Sequence, residues 1–191
     1  MTAAQADLAR ARQDFAELPA ANRLDRPEVA DGSAIWRIAR DSKTLDLNSS
    51  YSYLLWCRDF AGTSLVARGA DGEPVGFITG YVRPERPGTL VVWQVAVDEA
   101  HRGRGLAAAL LEGLTSRVGA EHGISSLETT ITPGNTASER LFTSYAERHG
   151  AQVVREVLFD AALFPDGGHD PEVLYRIGPL GPLDSLDPLG D

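Results

Sequence analysis

Cysteine is almost absent from this chain of 191 residues, and a single Cys57 rules out an internal disulfide and any metal centre built from several thiolates. Positive charge is also scarce. With 18 Lys plus Arg against 27 Asp plus Glu, the formal net charge of -9 speaks against nucleic acid or an anionic membrane as partner and suits a small cationic substrate. No apolar run reaches the roughly 18 residues of a membrane-spanning helix. The first residues carry Asp7, Asp14 and Glu17 where a secretory signal would be apolar, so a cytoplasmic location is expected. The four histidines, His101, His122, His149 and His169, lack metal-ligand spacing, and no catalytic metal is expected.

What is present fits one globular domain, since 43% hydrophobic residues can fill a core of this size. Residues 1–32, rich in Ala, Arg, Asp and Pro, and residues 179–191, repeating Pro, Gly, Asp and Leu, read as flexible ends around a domain at 33–178. Within it, Ala34 to Arg40 reads as a strand and Ser49 to Phe60 as a helix turning Tyr53, Leu54, Trp56 and Cys57 inward. A hairpin follows at Thr63 to Arg68 and Val75 to Tyr81, and then the nearly all-apolar strand Thr89 to Val97. Leu106, Leu110, Leu111, Leu114 and Val118 recur at helical spacing. Leu127 to Thr132 is a strand, Thr136-Ala137-Ser138-Glu139 a capping box that opens a helix closed by Gly150, and strands at Val153 to Phe159 and Val173 to Ile177 end the pattern.

The most telling stretch joins the apolar strand to the long helix: Val95-Ala96-Val97, then Asp98 to His101, then Arg102-Gly103-Arg104-Gly105-Leu106-Ala107. A helix start offers unpaired N–H groups and partial positive charge, which together hold a pyrophosphate, and glycines let its phosphates come close. No G-x-G-x-x-G and no Gly-Lys-Ser/Thr occurs, so neither a dinucleotide fold nor a P-loop is indicated.

Arg102, Gly105 and Ala107 directly after an apolar strand resemble motif A of the GNAT acetyltransferases, the loop that binds the pyrophosphate of acetyl-CoA in that family. The order of elements resembles the GNAT fold over residues 33 to 178. The resemblance implies a single-domain α/β (α+β) fold with a mixed, mostly antiparallel sheet, helices on both faces, and fourth and fifth strands that splay apart around the pantetheine arm. It further implies that Val95, Ala96 and Val97 hold that arm through their main chain, that Arg102 to Ala107 hold the diphosphate, and that Asn135 lies near the thiol end, where it could equally be a turn or N-cap residue. Many members protonate the leaving thiolate from a tyrosine seven residues after that asparagine; here the position is Phe142, with Tyr145 one turn on as a substitute or a core residue. Cys57 sits among Leu54, Leu55 and Trp56 and reads as buried, which favours direct transfer in a ternary complex over a covalent route.

Three further segments, Leu45 to Tyr53, Val92-Trp93-Gln94-Val95 and His169 to Tyr175, are similar to the diaminobutyrate acetyltransferases of ectoine biosynthesis, a homodimeric group that acetylates the 4-amino group of L-2,4-diaminobutyrate. A substrate with two ammonium groups and one carboxylate needs acids in its pocket and donors for its own carboxylate. For such a substrate Glu172 is expected at the reacting amine, either orienting it or receiving its proton, and Asp46 at the other ammonium, with Trp93 as a wall and Asn48, Ser50, Tyr51 and Thr130 as donors for the carboxylate. Read without it, Asp46 is as well a helix-entry cap and Glu172 a solvated edge residue. His169, after the flexible Pro165 to Gly168, reads as a surface residue, and His101 as a contact to phosphate or ribose. Phe159, Leu163 and Phe164 are candidates for a dimer contact. The competing expectations are a GNAT enzyme acting on another small amine and a non-catalytic acyl-CoA-binding module.

Overall fold

A computed structural model describes residues 23–165 and 168–181 of the chain. One sheet of seven strands organises them: β1 (Arg23–Asp25), β2 (Ser64–Arg68), β3 (Pro74–Val82), β4 (Thr89–Val97), β5 (Ser126–Ile131), β6 (Gln152–Phe159) and β7 (Glu172–Gly178), in the spatial order β1-β2-β3-β4-β5-β7-β6. Every neighbouring pair is antiparallel except β4 and β5. Helices α1 (Gly32–Ser42) and α2 (Ser50–Asp59) cover one face and α3 (Leu106–His122) and α4 (Thr136–Arg148) the other, and their buried side chains pack into two separate cores.

Two irregularities of β4 position everything that follows. It pairs with β5 only from Thr89 to Val92, against Ser126 to Thr129; beyond Val92 the strands part, and β5 continues against β7 alone. The expected splay is present. On the other side, Thr79 faces Gln94 while Gly80 faces Val92, so Trp93 is an extra residue, a β-bulge that re-aims its side chain.

The segment 34–40 is helical and not a strand. Ile35, Ile38 and Ala39 are all buried, and their spacing of three and four is that of a helix face. Leu54 points outward: Tyr53 and Cys57 take the inward positions one turn apart on α2, and Leu54, a step of ~100° further round, is 40% exposed. Order begins before residue 33, since β1 pairs with β2, Leu24 is buried, and Arg68 bonds Asp25 at 2.9 Å and Asp31 at 2.8 Å. A strand of three residues is too short to show a period. At the other end Leu180 is buried, and its N–H donates to Ser125 O at 2.8 Å, so the domain extends past 178. Residues 1–22 and 182–191, on which the remaining expectations for the ends fall, lie outside the described residues. The cap of α4 is Asn135, whose Oδ1 accepts the Ser138 N–H at 3.1 Å, in place of a box opened by Thr136. None of the described helices is long and apolar enough to cross a membrane.

Candidate active site

Where β4 leaves β5, the main chain from Trp93 to Val97 has no strand partner on that side, an edge ready to accept an extended ligand. The edge runs into a 3-10 turn at Glu99–His101 and then the glycine turn. Gly103 and Gly105 adopt φ of 75° and 74°, left-handed conformations that favour glycine, and no atom lies within 4 Å of where a Cβ would be on either. Gly105 is the N-cap of α3 and offers no side-chain oxygen, so no cap residue occupies the first N–H groups of this 17-residue helix. Arg102 is turned back: its Nε donates to Val97 O at 3.0 Å and pins the turn to the strand. Arg104 is exposed, Leu106 is buried beneath the turn and Ala107 is half-buried. Beside the turn, His101 Nδ1 is buried without a partner, an orphaned polar atom. These residues fit a pyrophosphate-bearing ligand.

The same gap opens into a cavity of about 710 Å³, bordered by Thr44 to Asp46 and Asn48 ahead of α2 and by Asn135, Ser138 and Phe142 at the start of α4. Three ionisable groups meet at its mouth. His169 Nε2 is 3.1 Å from Asp46 Oδ2 and 3.9 Å from Glu172 Oε1, and one ligand atom of each residue lies within 4.8 Å of the others. Glu172, at the start of β7, accepts a hydrogen bond from Thr132 Oγ1 at 2.9 Å and is mostly shielded, whereas the Asp46 carboxylate is 76% exposed. His169 stacks on Phe164 with ring centroids 3.9 Å apart, so the reading of this histidine as ordinary surface is corrected: Phe164 and Asp46 draw it into the site. The hydrogen bond to Asp46, then the Asp170 carbonyl and the nearby carboxylates, raise its pKa above the usual imidazole value.

The segment carrying Asp46 is fixed from below. Gln94 is buried on β4, donates Nε2 to Asp46 O at 2.9 Å and accepts from Tyr53 Oη at 3.1 Å. Asn48 Nδ2 reaches the same carbonyl at 3.2 Å. Trp93, aimed by the bulge, stacks on Trp56 at 4.5 Å and 15°, and Phe60 covers the far side of Trp56 at 4.5 Å.

Of the residues expected at the site, Asp46, Asn48, Trp93, Val95, Thr130, Asn135 and Glu172 line this one cavity. Tyr51 and Ser50 do not: both are exposed at the start of α2, and neither borders the cavity. Phe142 lines it, while Tyr145 is sealed in the core against His149, its phenol pushed far above its ordinary pKa by burial. Tyr145 is therefore no substitute acid. Burial likewise pushes the Cys57 thiol up to about 11, which leaves it inert.

Several residues escaped the sequence reading. Gln94 stood out only as part of the segment Val92 to Val95 and Thr132 only as the end of a strand, neither with a role, and Glu128, buried on β5 and bonded to Arg83 at 2.8 Å and Arg176 at 2.9 Å, joins partners 45 and 48 residues away.

A model of the Acetyltransferase (GNAT) family matches residues 33–146. An L-2,4-diaminobutyric acid acetyltransferase of Streptomyces avermitilis is 75% identical over 180 residues, which span 94% of this chain and 99% of that protein. One from Marinococcus halophilus is 46% identical over 157 residues, 82% of this chain and 90% of the other. Among solved structures, the diaminobutyrate acetyltransferase of Paenibacillus lautus in complex with L-2,4-diaminobutyric acid and coenzyme A is similar, with a TM-score of 0.78, 42% identity, and coverage of 89% of this chain and 97% of that one.

Proposed function

The chain belongs to the acetyltransferase (GNAT) family and within it to the L-2,4-diaminobutyric acid acetyltransferases, and we propose from this premise how its own residues carry the reaction. The enzyme transfers an acetyl group from acetyl-CoA to the 4-amino group of L-2,4-diaminobutyrate. One observation supports the assignment of parts above all: β4 up to Val95, where it has parted from β5, and the Asp46–His169–Glu172 cluster border one cavity.

Acetyl-CoA, when bound, supplies a thioester carbonyl as electrophile. Main-chain groups of Val95, Ala96 and Val97 hold the pantetheine arm as an added strand would, and the turn from Arg102 to Ala107 holds the diphosphate at the α3 N-terminus, with His101 beside it. The nucleophile must be uncharged. An alkyl ammonium with pKa near ~10.4 loses its proton at pH 7 only at roughly 4 kcal/mol, so a base is needed. Glu172, held by Thr132, receives that proton, and Asp46 holds the second ammonium while Trp93 walls the pocket. The leaving thiolate takes its proton from the substrate ammonium or from water, because Phe142 has none to give and Tyr145 is out of reach.

The product serves as precursor for the cyclisation that yields ectoine, in the cytoplasm. The enzyme works as a homodimer through the exposed apolar residues of β6 and its following turn, Val154, Val157, Phe159 and Leu163 among them. A monomeric mass by light scattering at micromolar concentration would rule the dimer out. The reaction itself is tested by a thiol-release assay with 2,4-diaminobutyrate, lysine and spermidine. Far faster turnover of the first supports the substrate assignment; equal rates on all three overturn it.

A further inference from the structure

The acceptor cavity is electrically lopsided. Asp46 and Glu172 make one end acidic, and at the other end Arg83, Arg86 and Arg176 border the same space. Glu128, 3% exposed on β5, sits between two of these arginines: Arg83 Nη1 donates to its Oε2 at 2.8 Å and Arg176 Nε to its Oε1 at 2.9 Å. Glu156 takes Arg176 Nη2 at 2.7 Å. One buried acid thus aims two guanidinium groups, one from the residue after β3 and one from β7, and both keep about a third of their side chains exposed. Arg83 uses one nitrogen in this network, and Arg176 has Nη1 left over. Three cations against two acids give this end a net charge of the sign opposite to the Asp46 end.

Resting on the substrate assignment above, we infer that Arg83 and Arg176, oriented by Glu128, form the subsite for the α-carboxylate of the amino-acid substrate. A guanidinium presents parallel N–H groups that match a carboxylate, and a pair braced by a buried acid is positioned before the ligand arrives. The dimensions agree. Glu172 and Arg176 stand on the same face of β7, four residues and therefore ~13 Å apart. A 2,4-diamino acid measures about 6 Å from its terminal nitrogen to its carboxylate oxygens by standard bond lengths, and a hydrogen bond of ~3 Å at each end brings the span to about 12 Å. A substrate laid with its 4-ammonium at Glu172 and its carboxylate at the arginines follows the cavity's own charge gradient, the 2-ammonium being carried on the carbon that bears the carboxylate. This replaces the hydroxyl and amide donors of the α2 entry, of which Tyr51 and Ser50 are outside the cavity.

The test compares L-2,4-diaminobutyrate with 1,3-diaminopropane, the same diamine without the carboxylate, on wild type, Arg83→Gln, Arg83→Lys and Arg176→Lys. Wild type prefers the amino acid. Arg83→Gln lowers the kcat/KM ratio of the two substrates by ~10- to 100-fold, chiefly through KM for diaminobutyrate, the loss expected when a charge-assisted hydrogen bond goes. Both lysine variants, which keep the charge and the fold but lose the planar fork, fall in between. Parallel losses on both substrates would mean that the arginines only brace the sheet, and an unchanged ratio would mean that the carboxylate lies elsewhere; either overturns the proposal. Wild type that acetylates neither diamine would sink the substrate assignment itself, a result distinct from both.

Discussion

Asp46 and His169, 123 residues apart in the chain, meet at 3.1 Å and join the segment before α2 to the loop before β7. Both ends of the contact are otherwise held, Asp46 through its carbonyl on Gln94 and His169 through its stack on Phe164. The contact stands beside Glu172, whose carboxylate is 3.9 Å from the same imidazole nitrogen.

This contact depends on pH in a defined direction. The folded pKa of His169 lies above its unfolded value, first because of the hydrogen bond to Asp46. A raised histidine contributes stability that is fully present below the unfolded pKa of about 6.5 and is lost as pH rises through the folded value. The melting temperature of wild type should therefore exceed that of His169→Gln most at about pH 5.5, with the gap narrowing on the alkaline side. A gap that widens with pH would contradict the pairing.

Most of the sheet was legible in the sequence because its strands are bounded by turn residues. The apolar run of β4 and the heptad-like leucines of α3 are long enough to show their period, and the glycine turn between them has few other uses. The failures have physical causes as well. Residues 34–40 contain apolar side chains at positions that satisfy a strand and a helix alike over seven residues, and only burial of Ile35, Ile38 and Ala39 against β3 and β4 decides the matter. The site was legible as residue types but not as partners. Glu172 and Asp46 stand out as acids near strand and helix ends, yet nothing local reveals that His169 lies between them, that Glu128 is buried under two arginines, or that Tyr51 faces away. Those facts follow from sheet order, β5-β7-β6, which no single segment encodes.

Glu172 and Asp46 should separate cleanly in kinetics. Glu172→Gln keeps the size and the Thr132 contact but removes the proton acceptor, so kcat should fall ~10²- to 10³-fold and the alkaline rise of the rate should steepen, as expected for loss of a general base. Asp46→Asn should act on binding, raising KM for diaminobutyrate by roughly tenfold while kcat falls less. Stopped thiol release at several pH values distinguishes them; the reverse pattern would exchange their roles.

Cys57 offers a check on direct transfer. A thiol shifted to about 11 is ~0.1% thiolate at pH 8, and its side chain is buried between α1 and the sheet. Cys57→Ala should keep kcat within about twofold while lowering stability by about 1 kcal/mol for the lost packing. Native protein should resist iodoacetamide until unfolded. Loss of activity without loss of fold would revive a covalent route.

Two glycines test whether the bulge and the turn serve different ligands. At Gly80 a Cβ would lie 2.6 Å from Val91 O, a backbone atom that cannot swing aside, so alanine there must push β4 away two residues before Trp93. The displacement reaches Trp93 directly and, through the stack, Trp56. Overpacking of this kind destabilises by about 1–3 kcal/mol, and KM for diaminobutyrate should rise while KM for acetyl-CoA changes little. At Gly105 the space is empty, but φ is 74°. Alanine at that position costs about 1–2 kcal/mol in backbone strain alone, and relaxing the strain would rotate the first N–H groups of α3, so its effect should fall on KM for acetyl-CoA. Gly80→Ala with normal stability and an unchanged KM for the amine would show that the bulge does not shape the acceptor wall.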